Sequence, residues 1–254
     1  MPGDTSPKTR VTEASANPTP ALYNQRYKTW ADDVIDQQAR HSGEFGYLNG
    51  EPVARPREFD EDDVIDAAMH CFWEKGFDGA TISDLEVATG ISRISLYNAF
   101  GDKEGLYLAA QRRYQEMGFK MIGDLLENTD LEGLVRFFSL HRDGDPRQEA
   151  ARLGCMMVNT VLDSTHVSES VLENIRAYRE GLTDQFEEFL ERCRDTGVIR
   201  PDLDLRACAA FVQTSMWGAM AVSRLYQDYT QNLPHISVVL DTIDSWRCRS
   251  AQTS

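Results

Sequence analysis

The sequence predicts an all-α protein, a small three-helix unit followed by a larger helical body, and three observations carry that expectation. From residue 58 onward, apolar side chains recur three and four positions apart, the period of one helix face. Ser, Thr and Asp stand where these stretches begin and Gly where they end. No hairpin dipeptide sits between strand-like runs in this part of the chain.

Residues 1–57 stand apart. Six of the nine prolines fall there, among Ser/Thr/Asn-rich stretches such as DTSPKTRVTEASANPTP. That composition is too poor in apolar groups to offset chain entropy, so a largely disordered extension is expected. One segment within residues 20–40 differs, because Tyr23, Tyr27, Trp30 and Val34 share a helical face. It fits a helix packed on the body, an arm that folds on a partner, or sequence upstream of the natural start.

The elements then follow in order. Phe59 and Val64 flank Asp60 as a hydrophobic staple around an N-cap, and the stripe Val64, Ile65, Ala68, Phe72 and Trp73 runs to a stop at Gly76. Thr81, with Asp84 three positions on, caps a second helix that ends at Gly90. Ser92 caps a third and Asp102 a fourth. Further on, VLENIRAYREGLTDQFEEFLERC places Val171, Ile175, Tyr178, Leu182, Phe186, Phe189 and Cys193 on one face, with Gly197 and Pro201 as the stop. LRACAAFVQTSMWGAMAVSRLY is apolar on more than one side, and Ala209, Ala210, Gly218 and Ala219 allow close helix approach. ISVVLDTIDSW is the last helix. The expected divisions are 1–57 as the extension, 58–106 as the three-helix unit, 107–248 as the body and 249–254 as a flexible tail.

At 254 residues, 41% hydrophobic and 26% charged, the chain can bury a substantial core. No apolar run approaches the ~20 residues of a membrane helix. The candidate CAAFVQTSMWGAMAV is short and broken by Gln213, Thr214 and Ser215. MPGDTSPKTR lacks the apolar region of a secretory signal. The five cysteines (71, 155, 193, 208 and 248) are widely spaced and show neither CxxC nor zinc-site spacing, which implies reduced thiols and no metal. A cytoplasmic protein without cofactor or membrane partner is expected.

The formal net charge is −15, and no region is basic. Residues 1–54 hold 5 basic and 7 acidic groups, residues 55–117 hold 7 and 13, and residues 118–254 hold 14 and 21. A nucleic-acid site here depends on a local cation cluster and on helix dipoles.

One stretch nevertheless reads as such a site: TISDLEVATGISRISLYNAFGDKEGLY, residues 81–107. Two helices of about eight residues joined by a Gly-containing turn form a helix-turn-helix. Leu85, Ala88, Ile91, Leu96 and Phe100 supply its interior, and Gly90 permits the positive φ of the reversal. Arg93, Ile94, Ser95, Tyr97 and Asn98 are left on the outer face of the third helix. They combine a bidentate donor, a methyl-contacting aliphatic and small polar groups, a set suited to major-groove edges. Tyr97 and Lys103 are placed to grip phosphates, and the helix starts at Thr81 and Ser92 offer N–H groups to phosphate oxygens. Arg55 and Arg57 add local positive charge.

The longer pattern is more specific. Arg55-Pro56-Arg57, Ala67-Ala68, Phe72, Gly76-Phe77, Thr81, Ile82, Leu85, Ala88, Thr89-Gly90-Ile91-Ser92, Ser95-Leu96-Tyr97, Phe100, Lys103 and Leu106 resemble the DNA-binding domain of the TetR family of transcriptional regulators. A shorter segment, GCMMVNT at 154–160, is similar to one found in a branch of that family's ligand-binding domains. The resemblance implies that Tyr97 and Lys103 grip phosphates while Arg93, Ile94, Ser95 and Asn98 face bases. It also implies pairing of the last two long helices into a homodimer, and a repressor released from palindromic double-stranded DNA by a small-molecule effector.

Two positions depart from the family pattern. Glu86 stands where a small residue is common, either as an inward carboxylate or leaning to solvent. Ile94 likewise replaces a small residue and either contacts a thymine methyl or blocks close approach. Since carboxylates beyond a Debye length of ~8–10 Å are screened from the phosphates, a shallow salt dependence is expected.

For the effector, Phe137, Phe138, Met156, Met157, Tyr178, Phe186, Trp217 and Met220 are candidate apolar lining, with His141, Asn159, His166 and Gln213 as orienting polar groups. Each also fits an ordinary core. Other readings compete. HRD at 141–143 matches a kinase tripeptide without its companion motifs, and no G-x-S-x-G, P-loop or H-E-x-x-H is present, so no enzyme is expected. His141, Asp143 and Asp145 read as a solvated loop before Pro146, not as metal ligands. A thiol sensor using Cys155 or Cys193, and a protein–protein adaptor that has lost DNA reading, remain as alternatives.

Overall fold

A computed structural model describes residues 59–128, 130–143, 153–163, 165 and 167–248. The amphipathic segment at 20–40, Arg55, Arg57 and His166 lie outside the described residues. Among those described the chain is helical without a strand: α1 Glu61–Gly79, α2 Ile82–Thr89, α3 Arg93–Phe100, α4 Lys103–Leu125, α5 Glu132–Asp143, α6 Met156–Asp163, α7 Glu169–Asp195, α8 Leu205–Tyr226 and α9 Leu233–Ser245, with a 3-10 turn at Tyr229–Asn232.

Local chemistry accounts for most of these limits. Asp60 accepts the Asp62 N–H as N-cap of α1, Ser92 accepts that of Ser95, and Asp102 that of Gly105. Two ends differ from expectation. α1 kinks at Gly76 and adds a turn to Gly79, which brings the Phe77 ring 4.8 Å from Tyr107. α9 begins at Leu233, because Pro234 in the first turn needs no N–H partner there. Residues 141–143 belong to α5 and are not part of a loop.

α1 lies across the start of α4, and α2 and α3 complete a small bundle around Leu85 and Leu96, 0% and 1% exposed. Burying each leucine contributes ~1.5–3 kcal/mol. α4 continues into the body, where it meets α5, α6 and α7, and α8 packs along α7. The Arg206 guanidinium near the start of α8 binds Glu180, Asp184 and Glu187 of α7. A short backbone bridge at Ile199 and Arg247 ties the segment after α9 to the α7–α8 turn.

The three-helix unit is joined to the body by buried contacts. The Trp73 indole N–H donates to the Gly154 carbonyl at 3.0 Å, and the Tyr107 hydroxyl meets that of Thr160. Gly154 has φ +68°, and a Cβ there would lie 2.9 Å from the Met220 carbonyl oxygen. Only glycine lets the strand of chain before α6 pass so close to α8.

Candidate nucleic-acid interface

The helix-turn-helix is held by short-range bonds. Thr81 Oγ1 accepts the Asp84 N–H at 3.1 Å while Asp84 accepts the Thr81 N–H at 2.9 Å, a reciprocal capping box. Lys75 adds a bond to Asp84 at 2.5 Å. Together the Lys75 and Thr81 donors hold the Asp84 carboxyl far below the usual carboxylate range. Gly90, φ +69°, turns the chain, and Ala88, Ile91 and Phe100 pack half-buried against the core.

On α3, Arg93, Ile94 and Asn98 are exposed, Ile94 by 73%, whereas Ser95 and Tyr97 are half-buried. The Arg93 guanidinium lies 5.0 Å above the Tyr97 ring, so arginine and tyrosine form one unit at the outer edge of the helix. Ser95 Oγ is 3.1 Å from Ser92 Oγ. Lys103 lies over the Phe77 ring at 4.8 Å; burial pulls its ammonium below the usual lysine value, with Asp78 acting in the opposite sense. The Thr81 N–H is engaged by Asp84, and Ser92 Oγ covers the Ser95 N–H at 3.3 Å.

Glu86 takes neither of the two orientations considered from the sequence alone. Its Oε1 accepts the backbone N–H of Arg93 at 2.6 Å, linking α2 to the first turn of α3. A carboxylate seven residues before a helix start was the hidden signal. The acidic start of α1 is partly offset by Arg113, which binds Asp62 at 2.6 Å and Asp66 at 2.8 Å.

Of the effector candidates, Phe137, Phe138, Met156, Asn159, Tyr178, Phe186 and Gln213 are buried and Trp217 half-buried, within or against one continuous core. Asn159 Nδ2 donates to the Leu153 carbonyl at 2.6 Å. Asn159 Oδ1, Gln213 Nε2 and Trp217 Nε1 are buried without a partner among the described residues. Gln111 and Gln115 were missed. With Tyr107 they recur every four residues on α4, a polar stripe legible as spacing, and Asn174 Nδ2 donates to Gln111 at 3.0 Å. A separate open groove of ≈ 640 Å³ lies between α8 and α9, lined by Ala207, Ala210, Phe211, Thr214, Ser215, Gly218 and His235. None of the described effector candidates lines it.

Comparison with known proteins decides the family. Residues 64–110 match the family of bacterial regulatory proteins, tetR family, and residues 130–232 match the tetracyclin repressor-like C-terminal domain. The chain belongs to the TetR family. Relatives include the HTH-type transcriptional repressor ComR of Escherichia coli (strain K12), 27% identical over 172 residues that cover 66% of this chain and 81% of that one. The repressor AcnR of Corynebacterium glutamicum is 28% identical over 183 residues, covering 72% and 89%. Among solved structures, a cysteine-substituted form of the TetR family regulator CifR, complexed with 26-base-pair double-stranded operator DNA, is 28% identical with a TM-score of 0.65. That match covers 74% of this chain and 98% of the other. The TetR-family chain is thus a DNA-binding transcriptional regulator and not an enzyme.

Proposed function

We propose that the protein is a homodimeric repressor that reads a palindromic operator and is released from it by a small molecule, working in the cytoplasm beside the DNA. The observation that carries this reading is the outer face of α3. Exposed Arg93, Ile94 and Asn98 stand beside Tyr97, with Lys103 at the next helix start, on a unit pinned by its own caps. In this reading Arg93, Ile94, Ser95 and Asn98 face base edges, Tyr97 and Lys103 hold phosphates, and Arg55 and Arg57 add charge from the preceding segment. Residues 58–106 are the reading head, and 107–248 the body that dimerises and binds effector.

Dimerisation through α8 and α9 is supported by their outward apolar groups, Leu225 74% exposed, Val238 62% and Tyr226 58%, and by the small residues Ala210 and Gly218 that line the groove between the two helices. Two-fold pairing sets recognition helices ~34–36 Å apart, as a palindrome requires. An effector held among α4, α6, α7 and α8 is supported by the buried Asn159 Oδ1 and Gln213 Nε2, which have no partner among the described residues. The effector shifts repression by binding one spacing of the two heads better than the other.

The thiol-sensor alternative is disfavoured. Cys155 and Cys193 are 2% and 0% exposed, and burial raises both thiols, Cys193 to about 11. The adaptor alternative loses its main support, because Glu86 braces the helix pair.

Selection from random duplex DNA tests the reading, with Arg93→Ala run beside the wild type. A two-fold palindrome is expected to be enriched, blurring at defined positions in the mutant. No enrichment at low salt would sink it.

A further inference from the structure

We propose that Glu86 is a discrimination residue of the DNA-reading surface: it pins the first turn of α3 to α2 and holds a carboxylate at the groove-facing end of the reading helix, where it rejects phosphate and favours base edges that carry an amino group. The proposal rests on the DNA-reading function argued above.

Arg93 is the first residue of α3, so its N–H is one of the donors that a helix leaves unsatisfied at the end carrying about half a positive charge. Open N–H groups at such an end are a general anion site, and phosphate oxygens use them without regard to sequence. Here Glu86 Oε1 takes that donor at 2.6 Å, and Ser92 Oγ takes the Ser95 N–H at 3.3 Å. Two of the donors at this end of α3 are therefore taken by the chain's own oxygens, one of them a charged carboxylate that repels phosphate. The Arg93 guanidinium lies over Tyr97, at the edge of the helix, so one residue offers its side chain to DNA while its backbone is held by a carboxylate.

An ionised carboxylate only accepts hydrogen bonds. In the major groove it is repelled by phosphates and by the N7 and O6 acceptors of guanine. It gains from the exocyclic amino groups of cytosine and adenine. A negative charge so placed lowers affinity for arbitrary duplex more than for a matching site, and that difference is specificity.

The test compares wild type, Glu86→Gln and Glu86→Ala as the full chain. Each is titrated with the selected operator and with random duplex of equal length across a salt series, with thermal unfolding as a control for folding. Gln keeps an oxygen for the Arg93 N–H and removes the charge. Glu86→Gln is expected to unfold with the wild type and to bind random duplex roughly tenfold tighter. Its plot of log affinity against log salt should steepen by about one, and the gap between operator and random DNA should narrow. Glu86→Ala should show the same gain on random DNA with a blurred base preference. A purely structural brace would leave the Gln variant's salt slope and random-duplex affinity at wild-type values and impair only Ala, and that result overturns the proposal. A wild type that binds no selected site removes the DNA reading and the proposal together, an outcome distinct from an operator-binding wild type with a silent Glu86→Gln.

Discussion

Polar groups in the reading head bond mostly to near neighbours in sequence, whereas the body adds to such local bonds a set that crosses between distant helices. Thr81 with Asp84, Ser92 with Ser95 and Asp102 with Gly105 each close over three residues. In the body, Tyr107 meets Thr160, Gln115 reaches the Asn174 carbonyl at 3.3 Å, and Arg224 reaches the Leu153 carbonyl at 3.3 Å. Bonds of the first kind form with the helices themselves. Those of the second kind exist only once α4, α6, α7 and α8 are packed, and several amide atoms among these helices lack a partner. A head closed by its own caps on a body with unsatisfied groups fits the proposed effector-released repressor, in which one reading geometry is kept while the interior takes up a ligand.

The largest expected effect asks whether the head is rigid on its own account. Leu85→Ala empties the centre of a small bundle at a site with 0% exposure, and should destabilise by roughly 2–5 kcal/mol. Phe186→Ala in the body should lose ~3–5 kcal/mol. If head and body unfold as one unit, urea midpoints followed by near- and far-ultraviolet signals will shift together in both variants. A Leu85→Ala protein that loses DNA binding with an unmoved global midpoint would instead mean that the head melts separately.

Next in size is the junction. Trp73→Phe removes the donor to Gly154 and leaves a buried carbonyl oxygen unpaired, at a cost of ~1–3 kcal/mol. Because Trp73 sits on α1 and Gly154 just before α6, the variant should also separate the two unfolding signals, since fewer contacts then make the head cooperative with the body. Coincident transitions at the wild-type midpoint would show that the aromatic packing of Phe72, Phe77 and Tyr107 suffices for the connection.

The same contrast explains what was legible in the sequence. Caps at Asp60, Thr81, Ser92 and Asp102, and the face of α7, follow from rules that act over four residues, and the helices form there. α8 spans the stretch read as a helix, Leu205–Tyr226. The Glu86–Arg93 bond crosses a turn, so neither residue's own helix period points to it. Trp73 with Gly154 and Tyr107 with Thr160 lie 81 and 53 residues apart, beyond any local pattern. The candidate effector residues were recognisable as apolar or polar types on helix faces. Which of their amide atoms find partners is decided by packing alone.

A smaller effect separates an ordinary core from one prepared for a ligand. Gln213 is fully buried with Nε2 unpaired, so Gln213→Leu removes a group whose desolvation is uncompensated. Stability should be unchanged or rise by up to ~1–3 kcal/mol, while induction of DNA release by an effector, once one is found, should weaken. A loss of stability in thermal unfolding would mean that the amide has a role in packing, and the body would then resemble the head in having its polar groups satisfied.

The smallest effect belongs to the head and comes from Asp84. Its folded pKa is depressed below the ordinary 3.8 by hydrogen bonds from Lys75 and Thr81, so folding favours the ionised form. The stabilisation is therefore fully present above the unfolded value, roughly pH 4, and is lost as pH falls through the lower folded value. Lys75 is displaced upward by the same bond, so its share persists through neutral pH and disappears only as pH rises through its raised folded value. The pair lies at the surface, where solvent and salt weaken it, and the shift in unfolding midpoint on acidification should shrink as salt is added. Asp84→Asn should flatten that acid limb in the unfolding midpoint followed against pH. An acid limb that survives in Asp84→Asn would assign it to a carboxylate outside the capping box, and local closure would then no longer account for the stability of the α2 start.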